Sequence, residues 1–122
     1  MNYQAKSIRT FVGAKNYKES SAFYQALGFK KVVLSPKMSL FKVNENLAFY
    51  LQDYYVRKWC DNSMVFLEVT DLDKCWREIE QLDLPNRYKN VKLSTIKQFD
   101  WGSEFFLHDP SGVLWHFGTF GS

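Results

Sequence analysis

Near the C-terminus, apolar and polar residues alternate on both sides of a turn. Phe105 and Leu107 alternate with Glu104, Phe106 and His108, the period of two that marks a strand. Asp109-Pro110-Ser111-Gly112 follows. An Asp side chain can bond its own backbone, Pro pre-sets φ, and Gly supplies a positive φ, so the four residues predict a tight turn. A second strand runs from Val113 to about Thr119. A hairpin alone is unstable in water, so the rest of the chain must supply a sheet for it.

The earlier pattern predicts that sheet. Ile8–Gly13 reads as a strand, and Asn16 then caps a helix, with Glu19 placed to complete a capping box. Ser20, Phe23, Tyr24 and Leu27 fall on one helical face, and Gly28 ends the helix. Strands follow at Phe29–Leu34, Ser39–Val43 and Leu47–Gln52, with Pro36 breaking the first. Residues 53–62 show no period and read as a linker, either packed down by its rings or forming a pocket lip. Beyond it, Met64–Val69 reads as a strand, and Thr70 or Asp71 caps a helix with the face Leu72, Cys75, Trp76, Ile79 and Leu82. Pro85 is expected to stop that helix. A strand at Val91–Thr95, a loop at Lys97–Gly102 and the hairpin complete the chain. An offset of 55 lays Phe66 on Phe11, Asp71 on Asn16 and Leu82 on Leu27. The chain therefore reads as two βαβββ modules, residues 6–52 and 63–120, in a single domain spanning 1–122.

With 122 residues the chain suffices for one compact domain. Aromatics make up 18%, more than a core of this size needs, so some rings should line a pocket or interface. The net charge of +3 is spread without a basic run, which argues against a nucleic-acid partner. Cys60 and Cys75 lack metal-binding or redox spacing, and Cys75 falls on an apolar helix face as a buried thiol. The N-terminus carries no apolar signal region and no stretch could span a bilayer, so a soluble cytoplasmic protein without a membrane partner is expected.

Trp101-Gly102-x-Glu104-Phe105, Asp109-Pro110-x-Gly112 and His116-Phe117, together with Ser20-x-x-Phe23-Tyr24-x-x-Leu27-Gly28-Phe29, resemble motifs of the vicinal oxygen chelate superfamily. That group includes glyoxalase I, extradiol dioxygenases and fosfomycin and bleomycin resistance proteins, and the run looks most like the last. The resemblance covers nearly the whole chain. It implies an α+β fold in which two βαβββ modules form a cup of curved mixed sheets, with the helices outside.

Enzymes of the superfamily hold a divalent metal with His, Glu or Gln from both modules. Carried over, the ligand positions fall on Arg9, Met64, a residue near Tyr50, and His116. Arg9 is permanently cationic, and Met64 is a soft thioether ill suited to the ions these enzymes use. No metal or other cofactor is therefore expected. His108, beside the turn, reads as a solvated residue. No Ser-His-acid elbow and no Gly-rich phosphate loop replaces the metal chemistry, so no catalytic residue is assigned. An acid–base mechanism built on His116 stays open.

The resemblance implies a metal-free binding protein, related to antibiotic resistance proteins, that sequesters a planar aromatic ligand in a groove at a homodimer interface. Candidate ligand-binding residues are Arg9, Phe49, Tyr50, Phe66, Trp101, Gly102, Trp115 and His116. Trp115 is read either as lining or as core, and Arg9 either as facing the cup or as paired with a carboxylate. The alternative is a metal-dependent enzyme of the glyoxalase or dioxygenase kind.

Overall fold

A computed structural model describes residues 1–121. The first element is β1 (Phe11–Gly13), which pairs in parallel with β4 (Ala48–Gln52). It is shorter than the apolar pattern predicts, because Ile8 lies outside the sheet and is 98% exposed. Helix α1 (Tyr17–Ala26) starts where expected, with the Asn16 side chain accepting the Glu19 N–H at 3.0 Å. It ends at Gly28, whose φ of +92° suits glycine. There the Phe29 N–H bonds the Tyr24 carbonyl and the Gly28 N–H bonds the Gln25 carbonyl, a Schellman exit. Strands β2 (Lys30–Ser35) and β3 (Met38–Lys42) complete sheet A in the order β1-β4-β3-β2.

The stretch without a period is not wholly irregular. Arg57–Asn62 forms α2, which buries Cys60 against β1. Cys60, rather than Cys75, is the fully buried thiol, and burial pushes it up to about 11. Next come β5 (Met64–Glu68) and α3 (Leu72–Gln81), which Asp71 caps by accepting the Lys74 N–H. Of the predicted α3 face, Leu72 and Ile79 are buried while Cys75, Trp76 and Leu82 are half-buried. Pro85 does not stop α3. The chain leaves that helix at Asp83, in the left-handed region, and Pro85 sits in the first turn of α4 (Leu84–Arg87), where its missing N–H costs nothing.

Sheet B holds the hairpin, β8 (Gly102–His108) and β9 (Leu114–Phe120), with β5 parallel to β9. The predicted strand at 91–95 contracts to β6 (Lys92–Leu93), and the predicted loop contains a strand, β7 (Lys97–Phe99); both pair with β8. The fold is thus α+β, with two open mixed sheets. The offset of 55 holds at the helix ends: Asn16 and Asp71 are both N-caps, and Leu27 and Leu82 both C-caps.

One aromatic core joins the halves. Tyr24 of α1 packs against Phe41 and Phe49 of sheet A and against Trp115 of sheet B. Its hydroxyl donates to Asp109 Oδ2 at 2.6 Å and accepts from Trp115 Nε1 at 2.9 Å. Asp109 Oδ1 accepts the N–H groups of Ser111 and Val113, the self-bonding expected of the turn. Burial raises the Asp109 carboxyl to about 6 and, with that carboxyl beside it, lifts the Tyr24 hydroxyl well above its usual range. Among the described residues no helix is long and apolar enough to cross a membrane.

Candidate ligand site

Sheet B has a buried face and an open one. Phe105, Leu107, Trp115 and Phe117 point into the core, so parity sends Glu104, Phe106 and His116 to the other side. Phe66 of β5 lies opposite His116, its ring stacked at 6.4 Å. The edge of Phe66 crosses β9 over Gly118, where a Cβ would come within 2.6 Å of its ring. Phe66 also meets Trp101 at 6.2 Å and Phe120 at 5.7 Å, while Trp101 lies parallel to Phe99 at 5.6 Å. All four rings are exposed. Together they form a ledge of flat apolar surface, the kind of surface on which planar molecules stack.

Behind the ledge, His116 Nδ1 lies 2.8 Å from Glu104 Oε1, and its Nε2 lies 3.4 Å from Met64 Sδ. Sheet A presents the corresponding pair. Tyr50 lies opposite Phe11 and stacks on it at 4.9 Å, and Arg9 Nη1 donates to the Tyr50 hydroxyl at 3.0 Å. The four positions onto which the sequence resemblance carries metal ligands form two contacting pairs, Arg9 with Tyr50 and Met64 with His116. A guanidinium and a thioether do not fit a hard or borderline divalent ion. Among the described residues no group of three or more His, Cys, Asp or Glu is placed to hold a metal.

A cleft of about 1220 Å³ opens between the N-terminal segment, the start of β4, and β5. Of the eight candidate residues, Arg9, Phe49, Phe66 and Trp115 line it. Phe49 and Trp115 form its floor and belong to the core, at 3% and 1% exposed. Trp115 stays inside because its ring N–H finds the Tyr24 hydroxyl there. Trp101 and His116 gather with Phe66 on the ledge side, and Tyr50 with Arg9. Gly102 is buried at φ +153°, where the Thr119 carbonyl fills the space a Cβ would need, so it lets β8 close on β9. Among the described residues no carboxylate pairs with Arg9. His108 is not a solvated turn residue: it ends β8, half-buried, its Nδ1 without a partner, and burial, then Lys92, lowers its pKa.

Glu104, Phe99 and Phe120 join the candidate site, though the sequence reading assigns none of them a ligand role. Phe120 was findable, since it shares the parity of His116 two rungs further along β9. Phe99 sits in a stretch with no readable period, and Glu104 looks like any polar residue of a strand.

The architecture is that of known proteins. At 21% identity, 95% of this chain aligns with 96% of the bleomycin-binding protein from bleomycin-producing Streptomyces verticillus complexed with copper(II)-bleomycin, with a TM-score of 0.78. A bleomycin-binding protein complexed with bleomycin aligns over 96% of this chain and 100% of its own, at 16% identity and a TM-score of 0.79. The chain has the fold of these bleomycin-binding proteins. Enzymes share this fold too: lactoylglutathione lyase from Agrobacterium tumefaciens covers 94% of each chain at 15% identity and a TM-score of 0.69. The chain matches no protein-family model and no curated protein sequence.

Proposed function

We propose that this protein binds a planar aromatic small molecule without using a metal, and sequesters it rather than transforming it. The observation that carries this is the exposed ledge of Phe66, Phe99, Trp101 and Phe120 on the face of sheet B opposite the core residues Phe105, Leu107, Trp115 and Phe117. Likeness to proteins solved with bleomycin supports a small-molecule ligand. The net charge of +3 disfavours a cation such as bleomycin itself and favours a neutral or anionic molecule. In this reading Arg9, held by Tyr50, replaces the charge of the superfamily metal with a fixed one that can hold an oxyanion but has no Lewis acidity. The setting is cytoplasmic. The site is completed in a C2 homodimer, where the open face of sheet A in one protomer meets that of sheet B in the other.

Ligand-dependent thermal shift across a library of planar aromatics tests this. Hits should be neutral or anionic, and Trp101→Ala should weaken them by about 1–3 kcal/mol, as loss of a stacking platform does. Hits confined to cations and indifferent to Trp101 would contradict it. A second reading, a metal-dependent enzyme, draws on the His116–Glu104 pair and the likeness to lactoylglutathione lyase. Stoichiometric metal in the purified protein, lost in His116→Ala, would favour that reading.

A further inference from the structure

We infer that His116 and Glu104 make the ledge selective for ligands that carry a hydrogen-bond donor, such as a phenolic hydroxyl or a ring N–H, at one edge of the aromatic plane. This rests on the aromatic-ligand reading above and adds the polarity of the site. A carboxylate can only accept, so the 2.8 Å contact with Glu104 places the ring proton on His116 Nδ1. In its neutral form the ring then turns a bare acceptor, Nε2, toward the open face. Its polar contact there among the described residues is Met64 Sδ at 3.4 Å, and a thioether has no proton to give. Among the described residues no hydrogen-bond donor meets this acceptor.

The ring is also fixed in place. Glu104 and His116 side chains are only 12% and 20% exposed, and the imidazole lies between the Phe66 face and the Phe106 edge. What covers Nε2 is the side chain of Met64, 67% exposed and free to swing away about its rotatable bonds. A planar ligand lying on Phe66 beside Trp101 would bring its edge to Nε2 and displace the thioether. A donor at that edge replaces a contact without a hydrogen bond by one with it. An ether oxygen or carboxylate there would set an acceptor against an acceptor.

The test is titration of the intact protein at pH 8, at the top of the range in which histidines commonly titrate, with three probes of one shape: 2-naphthol, 2-methoxynaphthalene and 2-naphthoate. Binding is read by Trp fluorescence and calorimetry. 2-Naphthol should bind about tenfold more tightly than its methyl ether, the effect of one hydrogen bond gained. His116→Phe keeps a flat ring and should erase the difference between naphthol and ether. Glu104→Gln, whose amide can satisfy either tautomer, should shrink it. Equal affinities for naphthol and ether in the wild type would overturn this inference and leave the aromatic ledge standing. A preference for 2-naphthoate lost in His116→Phe would also overturn it, by showing His116 acting as donor. Failure of all three probes to bind would overturn the aromatic-ligand reading and this inference with it.

Discussion

Tyr24, Asp109 and Trp115 show how one residue can carry the junction of two modules. Among the described residues the Tyr24 hydroxyl is the one hydrogen-bond partner of Trp115 Nε1 and of Asp109 Oδ2, and all three side chains are buried. Tyr24→Phe leaves both without a bond, which should cost about 1–3 kcal/mol in chemical denaturation. The cost should depend on pH in a definite direction. Asp109, with its native pKa raised to about 6, stabilises the fold most below about pH 4, and that contribution is lost as pH rises through 6. The Tyr24 bond holds the Asp109 pKa down against burial, so removing it should hurt more at pH 7 than at pH 4. A pH-independent loss would show that the bond does not bear on the ionised carboxylate. The turn itself was readable in Asp109-Pro110-Ser111-Gly112. The partner of Asp109 was not, because Tyr24 lies 85 residues away and reads only as an apolar helix position.

Elements were legible where a period or a cap marks them. Asn16 and Asp71 announced α1 and α3, and alternation announced the hairpin. The missed elements are those too short to show a period: α2 buries a single residue, and β7 has three exposed ones. Pro85 misled because a proline that interrupts one helix can open the next. Trp76 anchors α3 to the sheet, with its Nε1 donating to the Ser94 carbonyl at 2.8 Å. Trp76→Ala should cost about 3 kcal/mol, the low end for a large aromatic, since the side chain is half-buried. A near-neutral shift in thermal unfolding would show that α3 does not depend on this contact.

At the scale of the molecule, the two halves repeat the same device. Phe11 stacks on Tyr50 and Phe66 on His116, each beside one of the contacting pairs Arg9–Tyr50 and Met64–His116. The sequence allowed the fold to be read from its motifs, and the metal positions to be judged from the chemistry of Arg9 and Met64. The ledge could not be assembled, because it needs β7, β8, β9 and β5 brought together in register. With both sheets presenting open faces and unpaired edges, sedimentation at micromolar concentration should find a dimer. A monomer at every concentration would remove the interface groove from the account. The most direct measurement is binding of a planar aromatic hit by chelator-treated protein, compared with the same protein after zinc, nickel, manganese or iron is restored. Saturable binding that is unchanged by metal and weakened by Trp101→Ala is the predicted result. Binding that appears only with metal, and is lost in His116→Ala, would contradict a metal-free aromatic site.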